Sequence, residues 1–276
     1  MVNTDPWSDP DRQNEATFRA MATRLEERGR HPRFAAMVKR YVETLPRHRP
    51  LTVLDLGCGT GVVARHLAEW LNEGSTIHAG DVSKGLLHEA AQLAPGLAIR
   101  WDHLEGGILP YEDATFDAVA MHTLLSHVAE PGETLLEVAR ILKPGGRLIV
   151  FDADHAGTTY GLPDFAEMRR IDHLLTSAIA CHPDICRQLP RLLKSASLVV
   201  EDHVADVISE CGRGDFWLSS VRGFARMIPE LGILPDDEAA SWVRQLLQSH
   251  EEGTFFAAGA YYTFFARKGE SLAAVG

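Results

Sequence analysis

Between residues 51 and 152 the apolar positions follow two alternating rhythms. Short apolar runs at 51–56, 77–81, 97–101, 116–122 and 147–152 have the length and the bounding turns of buried strands. Between them apolar residues recur at helical spacing, as at Val62, Val63, Leu67 and Leu71. Ser83 is placed to cap a helix running through Leu93, and a helix over 133–142 stops at Lys143-Pro144-Gly145-Gly146. Strands alternating with helices predict a parallel sheet covered on both faces. Residues 11–45 read as helical with a break at Gly29-Arg30-His31-Pro32, and Pro46 and Pro50 bound a linker. After Asp152 the alternation stops: 160–195 and 214–250 read as helices, 198–208 and 259–268 as strands. The expected fold is α/β, a mostly parallel seven-stranded sheet with helices on both faces and a helical cap. Its segments are 1–50, N-terminal helices contributing to the cap; 51–156, the core; 157–197, a helical insert of the cap; 198–208, a core strand; 209–254, a second cap insert; and 255–276, a final core strand and tail.

Composition narrows the function classes. The chain has 276 residues, 45% of them hydrophobic, which suffices for one large core domain with an appendage. No apolar stretch of about 18 residues is free of charge, so no membrane span is expected. The polar start Met1-Val2-Asn3-Thr4-Asp5-Pro6 lacks the form of a secretion signal. Four cysteines make no disulfide framework, and the expected location is the cytoplasm. The net charge of −11 disfavours nucleic acid and anionic lipid as partners. The one basic stretch, with Arg24, Arg28, Arg30, Arg33, Lys39 and Arg40 interrupted by Glu26 and Glu27, reads as a solvated helix face.

The candidate chemistry starts at Val53-Leu54-Asp55-Leu56-Gly57-Cys58-Gly59-Thr60-Gly61, a strand-to-helix turn rich in glycine. Glycines there let the backbone approach a ligand, and the following helix N-terminus offers unpaired N–H groups. The spacing is G-x-G-x-G; Val62 stands where a dinucleotide fingerprint has its third glycine. Asp81 ends the second strand, where a carboxylate can accept both hydroxyls of a ribose.

Together these residues resemble the class I S-adenosylmethionine-dependent methyltransferases, whose core is Rossmann-like. The segment 109–119, Leu-Pro-Tyr-Glu-Asp-Ala-Thr-Phe-Asp-Ala-Val, resembles that family's approach to strand four, and 142–148 its turn before strand five. The resemblance covers about residues 50–152 and is nearest to the small-molecule branch containing the ubiquinone and menaquinone biosynthesis methyltransferases. It implies S-adenosyl-L-methionine as cofactor, with Gly57, Cys58, Gly59 and Gly61 at its methionine part and Asp55 orienting the loop or meeting the amino group. It also implies Asp81 with Val82 at the ribose, Asp102 with His103 at the adenine, and His122 with Thr123 beside the methyl donor. The interval from Asp102 to Leu109-Pro110 is longer than the family's, so Glu105 competes for the adenine role. Cys58 reads as a small loop filler.

Methyl transfer from a sulfonium requires an acceptor held in line and water excluded, and a base only for a poorly acidic acceptor. The candidate bases are His122, His127 and His155, each with a structural reading as a hydrogen-bonded histidine. Asp152, Asp154 and Tyr160 also follow strand five, Asp172 and His173 lie on a predicted cap helix and face either substrate or solvent, and Arg187 reads as a surface ion pair ahead of a clamp for an acidic substrate. The cluster Cys181-His182-Pro183-Asp184-Ile185-Cys186 has no second pair at zinc spacing, so no metal is expected. Phe216, Trp217, Phe224, Phe255 and Phe256 either wall an apolar pocket or pack the cap.

The expected function is therefore an enzyme that methylates a small, apolar or aromatic organic acceptor. The alternative is a cofactor-binding protein of the same fold with a non-methylating role: cyclisation, rearrangement or a structural cofactor. Methylation of nucleic acid or protein has only the N-terminal arginines behind it, and no Asn/Asp-Pro-Pro-aromatic segment follows strand four. A homodimer through the N-terminal helices is left open.

Overall fold

The computed structural model describes residues 5–269, with Arg226 as backbone only. Residues 1–4 and 270–276, the two outer ends of the expected segments, lie outside the described residues. Two short 3-10 turns, Pro6–Ser8 and Pro10–Arg12, lead into α1 (Glu15–Arg30) and α2 (Pro32–Val42). The core then runs β1 (Thr52–Leu56), α3 (Val62–Trp70), β2 (Thr76–Asp81), α4 (Lys84–Leu93), β3 (Ile99–His103), β4 (Phe116–His122), α5 (Pro131–Ile141) and β5 (Leu142–Tyr160). After it come α6 (Phe165–Ile179), α7 (Ile185–Ser195), β6 (Leu198–Gly212), α8 (Phe216–Glu230), α9 (Asp236–Glu252) and β7 (Phe255–Lys268).

The strands form one seven-stranded sheet in the order β3-β2-β1-β4-β5-β7-β6. Strands β1 to β5 run parallel, and β7 inserts antiparallel between β5 and β6. The order reverses at β1 and β4, which opens a crevice beyond their carboxyl ends. Side chains alternate across the sheet. Val53, Ala118, Ile149 and Phe151 face α2 and α3, where Phe34, Met37, Val38 and Leu67 are buried. Their neighbours Leu54, Val119, Leu148 and Val150 face α5 and α7. Each fully buried large side chain contributes about 1.5–3 kcal/mol, so the paired layers hold the crevice rigidly.

The helix over 185–195 departs from expectation. The segment 157–197 reads as cap, but α7 buries Ile185, Leu189 and Leu193 in the same cluster as Leu135 and Val138 of α5. Its apolar stripe serves the sheet, which leaves α6, α8 and α9 to build the cap with α1. There Tyr160, Trp217, Phe224 and Trp242 meet edge to face, Tyr160 and Trp242 at 5.4 Å between centroids.

Candidate functional site

A cavity of about 2050 Å³ extends from the turn after β1 to the aromatic wall of the cap. Its floor is the glycine turn. Gly57 and Cys58 donate their N–H groups to Gly80 O at 2.8 and 3.1 Å, which ties the turn to the end of β2. Gly57 has φ +74°, and a Cβ there would lie 2.6 Å from Leu124 Cδ1. Gly61 has φ +78°, and a Cβ there would lie 2.7 Å from the Trp101 ring. Both positions therefore need glycine twice over, for conformation and for space. Asp81 grips the turn from the side: Oδ2 accepts from Gly59 N at 2.8 Å and Oδ1 from Ser83 N at 2.9 Å. Burial pushes its carboxyl above the ordinary range, although these N–H donors oppose the shift. A carboxylate has about four acceptor positions, so it retains capacity toward the cavity that it lines.

Asp55 lies at the centre of this floor. It is fully buried, and neither oxygen is engaged at full hydrogen-bond geometry among the described residues. Burial pushes its carboxyl up to about 7; a hydrogen bond from the Ala64 backbone opposes the shift and the nearby Asp81 adds to it. A buried acid facing a cavity without a cationic partner among the described residues suits a cationic group from a ligand. Cys58 is buried beside it, and burial with the neighbouring carboxylates pushes its thiol well up, so it stays neutral.

The ends of β4 and β5 bring the histidines in. His122 stacks on Phe151 with centroids 4.5 Å apart, and its Nδ1 shares a 2.8 Å hydrogen bond with Tyr41 Oη. Burial, aided by Arg28, holds its imidazole well below the usual range. Thr123 has φ +49°, a strained value for a β-branched residue, and its N–H donates to Phe151 O at 2.7 Å. His155 sits where the β5–β7 register slips between Asp154 and Thr159. That irregularity turns it into the cavity. Its Nε2 has no hydrogen-bond partner among the described residues, and burial pushes the imidazole down to about 3. His127 also lines the cavity, with Nδ1 held at 2.8 Å by Asp5 Oδ2.

The 5–13 segment crosses the cavity. Asp5 bonds His127 at one end of the segment, and Asp11 binds the N-terminus of α4 at the other. Asp11 accepts from Ser83 Oγ at 2.5 Å, Lys84 N at 2.8 Å and Gly85 N at 3.2 Å. Pro6, Trp7, Asp9 and Pro10 between these anchors line the cavity. The cap closes the far side with Phe216, Trp217, Phe224 and Met227.

Several expected site residues lie elsewhere. The cavity lining includes Val82, Leu104 and Leu109 but neither Asp102 nor His103. Alternation along β3 explains this: Trp101 faces the glycine turn, so Asp102 faces the other side. There its Oδ2 meets His78 Nδ1 at 2.7 Å and Tyr111 Oη at 3.0 Å. His103 is exposed, with Nε2 near Val82 O, and Glu105 is exposed outside the lining. Phe255 is core and Phe256 is half-exposed. Asp172 accepts from Thr159 Oγ1 at 2.6 Å at the cavity wall, whereas His173 is exposed. Arg187 pairs with Asp154 at 2.8 Å. Cys181 Sγ lies against Asp5 and His127 O, and Cys186 is buried on the α5–α7 face. Among the described residues no three His, Cys, Asp or Glu side chains gather as for a metal ion.

The basic stretch of α1 needs correcting. Arg24 and Arg28 line the cavity instead of forming a solvated face. Arg28 Nη2 donates to Thr123 Oγ1 at 2.9 Å, and its guanidinium lies over the Phe34 ring at 4.9 Å. Sequence reasoning also passed over Tyr41 and the 5–13 segment. The four-residue spacing of Arg24 and Arg28 does place both on one helix face, but nothing in the sequence says that face meets a cavity.

Residues 54–150 match the methyltransferase-domain family. An uncharacterized 37.1 kDa protein of a Streptomyces fradiae transposon is 30% identical over 219 residues, 78% of this chain and 62% of that protein. The ubiquinone/menaquinone biosynthesis C-methyltransferase of Desulfotalea psychrophila is 39% identical over 100 residues, 36% of this chain and 40% of the relative. This chain thus spans less than two thirds of the length of either relative. The solved YcgJ protein of Bacillus subtilis has the same fold, with a TM-score of 0.59 at 18% identity over 86% of this chain and 100% of that one.

Proposed function

We propose that this chain, whose residues 54–150 match the methyltransferase-domain family, is a class I S-adenosylmethionine-dependent methyltransferase that transfers a methyl group to a small, apolar or aromatic organic acceptor by in-line displacement. The observation behind this reading is the buried Asp55 carboxyl, which has no ion-pair partner among the described residues, on the floor of a cavity that runs on to an aromatic wall. The residues fit the cofactor. The Gly57–Gly61 turn and the first turn of α3 would hold the methionine part, Asp55 the amino group and Asp81 the ribose hydroxyls. Val82, Leu104 and Leu109 would hold the adenine in an apolar slot, in place of Asp102 and His103. When bound, S-adenosylmethionine supplies a methyl group already activated on a sulfonium.

The chain's own residues then orient the acceptor and exclude water. The 5–13 segment covers one side and the cap aromatics the other. His122 is held in orientation by Tyr41 and Phe151, and His155 offers a free Nε2. Both imidazoles stay neutral at physiological pH. A group as hard to protonate as His155 is a weak base. Its role is to hydrogen-bond an acceptor that arrives nucleophilic, and His127 braces the covering segment through Asp5. The acidic net charge supports a small-molecule acceptor over nucleic acid, and a cytoplasmic setting is part of the same proposal.

The test is mass spectrometry of reactions with S-adenosylmethionine and a panel of phenols, quinols, enols and amines. The expected result is a product heavier by one methyl group, with S-adenosylhomocysteine in equal amount. A product of unchanged mass formed only with cofactor present would replace methyl transfer by rearrangement or cyclisation.

A further inference from the structure

Arg24 and Arg28 sit four residues apart on α1 and both line the cavity. Among the described residues neither has a carboxylate within ion-pair distance. The nearby Arg19, Arg30 and Arg65 each have one. Neutral partners fix the two guanidinium groups instead. Arg24 donates Nη1 to Ser219 Oγ at 2.9 Å and Nη2 to Ser220 Oγ at 2.6 Å, above the Phe216 ring at 5.0 Å. Arg28 donates to Thr123 Oγ1 and lies over Phe34. Burial, the largest influence on Arg28, pulls its guanidinium down to about 10, while Asp152 acts on it without contact. The cavity wall also carries carboxylates, Asp55 and Asp81 among them, but none of the described ones pairs with these two adjacent cations, which marks their corner as a place for an anion.

We propose that Arg24 and Arg28 clamp an anionic oxygen group of the methyl acceptor, so that the substrate is a small aromatic or apolar organic acid carrying a carboxylate or phosphate. This rests on the methyltransferase reading above. A guanidinium has five N–H donors, so donors remain for a forked contact to a carboxylate or phosphate. The hydroxyls of Ser219 and Thr123, which accept from the arginines, keep their own O–H groups to donate. The aromatic wall of Phe216, Trp217, Phe224 and Tyr261 suits the apolar remainder. The clamped group anchors and undergoes no bond change. A separate electron pair of the acceptor forms the bond to the methyl carbon, and the pair of the broken S–C bond stays on sulfur.

The cofactor brings a carboxylate of its own, so position decides between the two sources. Leu25 lies over Gly59, and Gly29 packs against Val62 of α3. That face of α1 covers the glycine turn. Arg24 and Arg28 are rotated one position away from it, toward the end of β4 and toward α8, where Arg24 has both its partners.

The experiment saturates the 276-residue chain with S-adenosylhomocysteine and titrates matched probes by calorimetry. The probes are 4-hydroxybenzoate, indole-3-acetate and cinnamate with their methyl esters, and phenyl phosphate with phenol. At least one acid should bind about tenfold or more tighter than its uncharged partner. Arg24→Gln and Arg28→Gln should each erode that preference, and Arg24→Lys should retain part of it. Arg24→Gln should leave S-adenosylhomocysteine affinity within roughly threefold. Acids binding no better than their neutral partners across the panel overturns the clamp. So does an Arg24→Gln protein that loses S-adenosylhomocysteine affinity but keeps the acid preference, which would assign the arginine to the cofactor. If S-adenosylhomocysteine itself fails to bind the folded wild-type protein, the failure falls first on the cofactor reading and takes the clamp with it.

Discussion

Asp55 links stability and binding at a single residue. Its carboxyl is held up to about 7 in the folded chain, against an ordinary value near 3.8. Between these values the unfolded chain is ionised while the folded chain keeps its proton. Stability therefore falls as pH rises through this interval and levels off above it, with a total on the order of 4 kcal/mol. Asp55→Asn should remove most of that slope and be more stable than the wild type at pH 8, as read from urea midpoints across pH. The same carboxyl gives a binding signature. A cofactor ammonium group beside it favours the ionised form, so binding near pH 6.5 should release a proton. Calorimetry in two buffers of different ionisation enthalpy measures this release, and Asp55→Asn should abolish it. At Gly57 the expected outcome is harsher: Gly57→Ala must strain φ and displace Leu124. It should lower the thermal midpoint and weaken cofactor binding by about tenfold or more. The glycine turn, Asp55 and Asp81 were legible in the sequence because their chemistry is local to a strand end. The place of Asp102 outside the cavity lining was not, because the side it faces depends on the pleat of β3 against β2.

At the scale of elements, the 5–13 segment is pinned by Asp5 at His127 and by Asp11 at the start of α4. Asp11→Ala removes three hydrogen bonds from that helix end. Its expected cost is about 1–2 kcal/mol, together with faster cofactor dissociation in stopped-flow measurements. Unchanged dissociation would show that the segment does not retain the ligand. The periodicities placed strands and helices well from β1 to β5, where each element packs on its sequence neighbours. They assigned α7 to the cap because an amphipathic stripe does not say which surface it covers. The slip between Asp154 and Thr159 was likewise hidden, since it arises from pairing with β7, a strand distant in sequence.

Across the whole molecule, an acidic chain carries in its cavity wall two arginines that no carboxylate pairs among the described residues. That arrangement was the least legible feature. A basic stretch on a helix looks solvated until the tertiary fold turns it inward, and its partners Thr123, Ser219 and Ser220 come from two remote elements. In the proposed reading, the sheet order, the glycine turn and the enclosing cap frame one bound cofactor next to one acceptor. The decisive measurement is a calorimetric titration of the wild-type chain and Asp81→Asn with S-adenosylmethionine, with NAD as control. The wild-type chain should bind S-adenosylmethionine and not NAD, and Asp81→Asn, checked for its fold, should bind about tenfold or more weakly. A well-folded wild-type protein that ignores S-adenosylmethionine, or that takes NAD equally well, would contradict the assignment of this site.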